Sequence, residues 1–387
     1  MTKSINFTNV NPVNSKDISL IRNEIKKIIN NNDFILGRVV KKFEDNFSKL
    51  SQINYSVGCA SGTDALILSL KSLNLKKHHE VIVPAMTYIS TGLSVLLNNN
   101  KLVYADIEND TGLISINSII KNITKNTKAV IPVNLYGQKI DLKKLRNSIS
   151  KKIFIIEDSA QSHFAYSCFN CSIKTVNKCC KKERNDQYAD ISCYSFYPAK
   201  NLGAFGDAGL VATNSKKLYL RLLSLRNLGS INKHKHNLIG MNSRLDTIQA
   251  VVLNRKLKSI LKLNESRRKI AKYYDQNLKI VKEIKKQDID LISTHGQTLS
   301  HKDREYSIQV GNPRLIHKRT NIPVVSDFRQ DDIASGGNGA PLMPLLDWFL
   351  FKNSRINVIT INIGGISNLA VISKDMKRDK NEIYHCY

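Results

Sequence analysis

Lys200 and Asp158 are residues of types that can act together on a carbonyl carbon. Lys200 follows a predicted strand in SFYPAKNLGAFGDAG, where glycines and other small residues indicate a tight turn. A buried lysine loses its charge readily, so its amine becomes a nucleophile for carbonyl carbon. Asp158 ends the apolar run IFIIED, and α/β sheets place ligand groups at the carboxyl ends of strands. Taken alone, an aspartate in this position more often caps a helix.

The segment CASGTDAL, residues 59–66, could bind a phosphate. Small residues lead there into a predicted helix, whose first-turn N–H groups have no intrahelical acceptor. Those amides and the helix dipole both favour an anion at this end. The alternative is simple N-capping by Ser61 or Thr63, and the segment alone does not decide between the two.

The elements that must position these residues follow an α/β pattern. Between about residues 53 and 214, short apolar runs alternate with helical patterns such as 63–73 and 117–123. Near-continuous apolar strands separated by helices predict a largely parallel sheet that is covered on both faces. Residues 216–229 predict a helix that ends at a glycine, and 245–278 predict long helices. The predicted strands are 81–85, 101–107, 128–137, 153–160, 191–198 and 209–213.

Four features together suit pyridoxal phosphate (PLP) chemistry: a lysine that can attack a carbonyl carbon, a carboxylate, a possible phosphate-binding turn and an aromatic residue near a strand end. Residues 8–280 closely resemble the DegT/DnrJ/EryC1/StrS family of sugar aminotransferases. The matching motifs, in the family's order, are DFILGRVVKKFEDNF, SGTDAL, PAMTYIS, NLYGQ, EDSAQSH, SFYPAKNLGAFGDAG, LRNLG and GMNSRLDTIQA. The resemblance implies a fold-type I PLP-transferase domain over residues 1–280, with a mixed, mostly parallel sheet flanked by helices. The small domain that family members normally carry after the long helices is largely missing from this pattern.

Carried over position by position, the resemblance implies roles for four residues around the cofactor ring. Lys200 would hold PLP covalently and would then move a proton between Cα of the substrate and C4′ of the cofactor. Asp158 would pair with the pyridine nitrogen and keep it protonated, so that the ring acts as an electron sink. Tyr88 would stack on the ring face, and Gln161 would lie near the phenolic oxygen.

The resemblance also assigns residues to the phosphate and the substrate. The Gly62 and Thr63 amides and the Ser195 hydroxyl would bind the cofactor phosphate. Asn242 would reach the phosphate of a neighbouring subunit, which implies a homodimer. Arg244 would help to hold an anionic substrate.

The implied reaction has two halves. An amino donor, usually L-glutamate in this family, converts PLP to pyridoxamine phosphate (PMP). The amine then passes to a keto group on a nucleotide-linked sugar. The GMNSRLD form, residues 240–246, resembles members acting on 3-keto sugars more than those acting on 4-keto sugars.

The connection between Gln161 and Ser195 is longer than is usual for the family. It contains four cysteines in a basic segment, at Cys168, Cys171, Cys179 and Cys180. A C-x2-C pair followed by a second pair could bind zinc, but adjacent cysteines are not the usual second half of such a site. Reactive or bystander thiols are therefore the favoured interpretation, and no metal is predicted.

Residues 288–372 resemble a different enzyme family, anhydro-N-acetylmuramic acid kinase, which belongs to the actin-like ATPases. The resemblance rests on IDLISTHGQTLSH, on the stretch from YSIQV to APLMP, and on INIGGISNLAVI. It implies a partial actin-like α/β segment in which Asp332, or else Asp327, would be the catalytic base. Residues 281–287 would form a junction and residues 373–387 a polar tail.

The second resemblance leaves two alternatives to an aminotransferase. The chain could be a kinase fragment that phosphorylates a sugar with ATP, or an inactive chimera of the two enzymes. The N-terminal phosphate loop of the kinase family is absent, and half an ATP cleft cannot position phosphoryl transfer. We therefore expect an aminotransferase.

The charge and the cysteine content limit the class of protein to which the chain could belong. The chain has 59 basic and 32 acidic residues, which gives a net charge of +27. The excess is mostly lysine scattered along the chain, without a zinc-finger or RNP-like motif, so nucleic-acid binding is not expected. The N-terminus has no apolar signal segment, and the run PLMPLLDWFLF is too short to span a membrane. Seven cysteines in such a chain suggest reduced thiols, and a cytoplasmic protein is expected.

Overall fold

The computed structural model describes residues 15–165, 188–230 and 235–277, together with shorter pieces beyond them. Those pieces are 292–293, 297–302, 306–310, 313–326, 333–336, 358–362 and 368–372. The chain divides into two compact units, Met1–Ala271 and Lys272–Tyr387. The division lies close to the predicted domain boundary at residue 280.

The first unit is built on a sheet of seven strands within its described residues. In chain order they are Tyr55–Cys59 (β1), Glu80–Pro84 (β2), Lys101–Ala105 (β3), Thr127–Val130 (β4), Phe154–Asp158 (β5), Ile191–Ser195 (β6) and Gly209–Thr213 (β7). The order across the sheet is β1-β7-β6-β5-β4-β2-β3. Strand β7 runs antiparallel to both of its neighbours, and the remaining pairs are parallel. The predicted mixed, mostly parallel sheet is confirmed.

Helices cover both faces of this sheet. They are Ser15–Asn31 (α1), Arg38–Ser51 (α2), Gly62–Leu73 (α3), Ile89–Leu97 (α4), Ile116–Asn122 (α5), Leu142–Ser148 (α6), Lys216–Leu225 (α7), Thr247–Leu257 (α8) and Ile260–Asn277 (α9). On one face, α3, α4 and α7 pack against side chains that include Val83 and Ile156. On the other face, α2 and α8 pack around Leu210, and α5 and α6 pack around Ile155. The sheet is therefore buried on both faces, which explains its near-continuous apolar strands.

Two strands depart from the predicted pattern. The apolar run 128–137 predicts a long strand, but β4 ends at Val130. Pro132 has no N–H to donate to a neighbouring strand, and Tyr136 has a left-handed φ of 54° that turns the chain. Strand β1, with the sequence YSVGC, is not among the predicted strands. A Cβ at Gly58 would lie 2.9 Å from the Cβ of Leu245, so close packing favours glycine there.

The described pieces of the second unit form short strand pairs and a helix. Ile292–Ser293 (β8) pairs in parallel with Val324–Val325 (β11). Gln297–Lys302 (β9) and Tyr306–Val310 (β10) form an antiparallel pair, as do Val358–Asn362 (β12) and Asn368–Ile372 (β13). The helix is Pro313–Thr320 (α10). Asp327 and Asp332, the predicted kinase residues, lie outside the described residues.

Among the described residues, no helix is both long enough and apolar enough to cross a bilayer. No group of three or more His, Cys, Asp or Glu side chains there could hold a metal ion. The four cysteines between Gln161 and Ser195 lie outside the described residues.

Candidate active site

A cavity of about 820 Å³ opens at the carboxyl edge of the sheet. Its walls come from the loops that follow β1, β2, β4, β5 and β6, and from Arg267 in α9. Asn242 and Arg244 are not among its lining residues. All seven residues that the sequence predicts around the cofactor within one subunit do line it: Gly62, Thr63, Tyr88, Asp158, Gln161, Ser195 and Lys200.

The turn between β1 and α3 forms the predicted phosphate-binding end of the cavity. The Ser61 hydroxyl caps α3 by accepting a hydrogen bond from the Asp64 amide at 3.1 Å. The N-capping interpretation is therefore correct for Ser61, but it does not exclude an anion. The Gly62 and Thr63 amides lie in the first turn, where no intrahelical carbonyl can accept from them. Capping and phosphate binding are compatible at this turn.

Close packing fixes this turn against the ends of β6 and β7. A Cβ at Gly62 would lie 2.5 Å from the Cβ of Ser195. A Cβ at Gly209 would lie 2.1 Å from the carbonyl oxygen of Ser61. Both positions require glycine because backbone and side-chain atoms already occupy the space. The Ser195 hydroxyl is thereby held beside the first turn of α3.

Asp158 is buried at the end of β5, with 5% of its surface exposed. Its Oδ2 accepts a hydrogen bond from the Thr91 hydroxyl at 3.0 Å, and its Oδ1 accepts one from the Ala160 amide at 3.1 Å. Burial raises the pKa of Asp158, although both hydrogen bonds and the charge of Lys200 act in the opposite direction. A buried carboxylate is favourable only beside a cation, so the site suits a protonated ring nitrogen.

Lys200 lies in a tight, half-buried turn after β6. Its amide donates to the Tyr197 carbonyl at 2.8 Å. A Cβ at Gly203 would lie 2.2 Å from the Pro198 carbonyl oxygen, so this turn also requires glycine. Burial lowers the pKa of the Lys200 amine, and the charge of Asp158 opposes that effect. A lowered pKa increases the neutral fraction of the amine, which is its nucleophilic form.

Gln161 is oriented by a turn to which the sequence assigned no role. Its Oε1 accepts a hydrogen bond from the Tyr136 amide at 2.5 Å. The Nε2 of Gln161 is therefore the end that can donate to a cofactor oxygen. Tyr136 itself lines the cavity and is 87% exposed. The NLYGQ motif contains this tyrosine, and the glycine after it marks the turn.

The first turn of α4 contributes to the cavity from a second side. Tyr88 precedes this helix and is 71% exposed, which leaves its ring free to cover a planar ligand. The Ser90 and Thr63 hydroxyls lie 2.8 Å apart and link α4 to α3. Thr91, which holds Asp158, was missed by the sequence reasoning. Its position three residues after Tyr88, one helical turn away, is the signal that could have identified it.

Asn242 and Arg244 flank a buried serine in the segment before α8. The Ser243 hydroxyl donates to Oδ2 of Asp64 in α3 at 2.6 Å. Asn242 is exposed, and Nη1 of Arg244 donates to Oδ1 of Asn227 at 3.1 Å.

The residues of this cavity fit PLP. A buried carboxylate, a half-buried amine with a lowered pKa and a helix start that can bind phosphate are the three features that the cofactor needs. Each is held by hydrogen bonds or by packing within the first unit.

Comparison with known proteins identifies aminotransferases among the relatives of this chain. The model of the DegT/DnrJ/EryC1/StrS aminotransferase family matches residues 16–319. The UDP-N-acetyl-3-dehydro-alpha-D-glucosamine 3-aminotransferase of Acidithiobacillus ferrooxidans is 37% identical over 255 residues, which are 66% of each chain. The UDP-2-acetamido-2-deoxy-3-oxo-D-glucuronate aminotransferase of Pseudomonas aeruginosa is 33% identical over 339 residues, 84% of this chain and 90% of that one. Several curated relatives are thus matched over about two thirds of their length.

Solved structures agree with this result. The S. venezuelae protein DesV is 32% identical with a TM-score of 0.63, and the match covers 71% of both chains. Bacillus subtilis NtdA, solved with its bound cofactor PMP, is 28% identical with a TM-score of 0.59, over 66% of this chain and 56% of that one. The fold-type I architecture and the expected PLP cofactor are both supported. The chain belongs to the DegT/DnrJ/EryC1/StrS aminotransferase family.

Proposed function

We propose that this chain is a PLP-dependent aminotransferase that transfers an amino group from L-glutamate to a keto group of a nucleotide-linked sugar. One observation carries the proposal: Lys200, Asp158 and the α3 phosphate-binding turn line a single cavity. Membership of the aminotransferase family supports the reaction class.

The substrate that we propose is a UDP-linked 3-keto sugar. The A. ferrooxidans and P. aeruginosa relatives are both named for UDP sugars with the keto group at carbon 3. The GMNSRLD segment of this chain also resembles that of family members acting on 3-keto sugars more than that of members acting on 4-keto sugars. The product would be an amino sugar nucleotide of the kind used in cell-surface polysaccharides.

The side chains around the ring have separate tasks. When bound, PLP supplies an electron sink for the carbon next to the transferred nitrogen. Asp158 holds a proton on the pyridine nitrogen, because its buried carboxylate gains a cationic partner there. Tyr88 covers the ring face, and Gln161 donates from Nε2 to the phenolic oxygen. The amine of Lys200 moves the proton at the carbon that carries the transferred nitrogen, a task for which a lowered pKa suits it.

The proposed assembly is a homodimer in which Asn242 serves the partner's cavity. Asn242 is exposed and lies outside the lining of its own cavity. Helix α4, beside the cavity, presents an apolar outer face. Its Ile89, Leu96 and Leu97 are 70%, 55% and 57% exposed. A contiguous apolar face next to the site favours a protein partner there, and a second copy would bring Asn242 to the phosphate.

Substitution of Lys200 tests the proposed chemistry. Wild-type protein incubated with PLP is expected to develop a visible absorption band from lysine-bound cofactor. With L-glutamate and a UDP-linked 3-keto sugar, it is expected to form an amino sugar detectable by mass spectrometry. Lys200→Ala should abolish the band and reduce product formation by more than about a thousandfold, because the nucleophilic amine is lost.

The control is Lys258→Met. Lys258 is exposed and does not line the cavity. This variant should keep both the band and the product. A folded wild-type protein without any band would exclude PLP chemistry.

The kinase resemblance of residues 288–372 is a separate hypothesis. The aminotransferase family model extends to residue 319 and so overlaps the first part of that segment. We therefore assign the activity to the aminotransferase domain. Transfer of radiolabel from ATP to an anhydro-sugar would support the kinase hypothesis. Amplification of the source DNA across codons 275–295 would test the fusion directly. A product that spans the junction would show that the fusion is real. No product would show that the two halves are not joined in the source DNA.

A further inference from the structure

Arg267 places a positive charge on the wall of the cavity, and none of the proposed cofactor contacts involves this residue. It lies in α9 and lines the same cavity as Lys200 and Asp158. Its guanidinium donates a hydrogen bond from Nη1 to the amide oxygen Oδ1 of Asn264 at 3.1 Å. The adjacent Arg268 instead forms an ion pair within its own helix.

A buried amide holds Arg267 in place. Asn264 is 8% exposed, and its Nδ2 donates to the His163 carbonyl oxygen at 2.9 Å. Its Oδ1 also accepts from Nδ2 of Asn201 at 3.2 Å. Asn201 directly follows Lys200, so the loop that carries the nucleophile also supports the arginine. Such support reduces the entropy that the side chain loses when it binds a ligand.

Arg267 brings a positive charge to a cavity whose other charged lining residues are Lys200, Asp158 and Asp207. Lys200 and Asp158 interact electrostatically with each other, and Asp207 is an exposed carboxylate on the same lining. Burial lowers the pKa of Arg267, but an arginine still carries its charge at neutral pH. The contact with Asn264 uses one of five N–H donors, which leaves enough to grip two oxygens of one anionic group.

We propose that Arg267 is a substrate-binding residue that holds an anionic oxygen, either a carboxylate of the amino donor or a phosphate of the sugar nucleotide. This proposal rests on the proposed function for the identity of its two ligands. Carboxylate and phosphate present the same paired oxygens to a guanidinium. The geometry of the arginine suits either group equally. Binding measurements with one ligand of each kind can distinguish the carboxylate from the phosphate.

The test is calorimetric titration of PLP-loaded protein with two unreactive probes. UDP-N-acetylglucosamine carries the diphosphate without a 3-keto group, and glutarate carries the two carboxylates without an amine. Arg267→Gln is expected to weaken one probe at least tenfold and to leave the other within twofold of wild type. Arg267→Lys should give an intermediate loss, since it keeps the charge but not the paired donors.

Arg268→Gln is the matched control, because Arg268 is one residue away and pairs with Glu265 at 2.9 Å. It should bind both probes as wild type does. In steady-state assays Arg267→Gln should raise the KM of the weakened substrate at least tenfold while kcat changes less than threefold. Equal binding of both probes by Arg267→Gln and wild type would overturn the proposal, and so would a wild-type protein that binds neither probe.

The PLP band separates this proposal from the proposed function. Arg267→Gln should keep the visible band, since Arg267 takes no part in holding the cofactor. Loss of the band in wild-type protein would exclude the aminotransferase reaction. Loss of probe binding in Arg267→Gln with an intact band would instead support an anion site on a working cofactor scaffold.

Discussion

At the scale of single residues, Asp158 shows how a functional group can oppose stability. Burial raises its pKa above the ordinary 3.8. Between 3.8 and the raised value, the unfolded chain releases the proton while the folded protein keeps it. The cofactor-free protein therefore loses stability as pH rises through that window, and the whole loss persists at neutral pH.

Asp158→Asn should consequently stabilise the cofactor-free protein at pH 7 while it impairs the reaction. We expect a higher Tm than that of the wild type at pH 7, because the cost of ionising a buried carboxyl is removed. The gain should vanish below pH 3.8, where the carboxyl is protonated in both states. Product formation should fall by on the order of a hundredfold or more, because the ring nitrogen loses its charged partner. The control is Asp207→Asn, which alters an exposed carboxylate on the cavity lining and should leave the Tm unchanged both at pH 7 and below pH 3.8. An unchanged Tm at pH 7 in Asp158→Asn would contradict the argument.

The sequence predicted residues that line the cavity but not the residues that orient them. Lys200, Asp158 and Gly62 stand in motifs whose types are dictated by the chemistry. Thr91 and Tyr136 act through a hydroxyl and a backbone amide on residues far from them in sequence. Such contacts depend on how strands lie side by side, and no local pattern encodes them.

At the scale of elements, the close contact between β7 and the start of α3 fixes the shape of the turn that we propose binds the phosphate. Gly209→Ala would place a Cβ 2.1 Å from the Ser61 carbonyl oxygen, a backbone atom that cannot rotate away. We expect a loss of about 1–3 kcal/mol in unfolding free energy. PLP binding should weaken as well, because the first turn of α3 must shift. Urea unfolding and PLP titration would measure the two effects.

Gly92→Ala is the matched control for that substitution. Its added Cβ would lie 3.5 Å from Cδ2 of Leu102, an ordinary contact, within helix α4. Alanine is the better helix former by about 0.8–1.0 kcal/mol, so this variant should be neutral or more stable. Equal effects of the two alanines would show that close packing at Gly209 does not define the turn.

Element types were also more predictable than element ends. Strands β2, β3, β5, β6 and β7 lie within or beside their predicted ranges, because burial on both faces produces continuous apolar runs. The run 128–137 was predicted too long because apolar residues after Val130 line the core and the cavity without extending a strand. Burial alone does not distinguish these two uses of an apolar residue.

At the scale of the whole molecule, the proposed exchange of Asn242 between subunits makes a prediction about mixtures. Lys200→Ala and Asn242→Ala should each have little activity as pure proteins. In a mixed dimer, one cavity retains its own Lys200 and receives Asn242 from the partner, while the other lacks both. Equal mixing with subunit exchange should therefore restore about a quarter of wild-type sites, since half of the dimers are mixed and each has one complete cavity. If Asn242 served its own subunit, neither cavity of the mixed dimer would be complete and activity would stay low. Sedimentation at the same concentrations would show whether the recovered activity depends on dimer formation. Leu96→Glu, on the exposed face of α4, should prevent dimer formation and should therefore abolish the recovery.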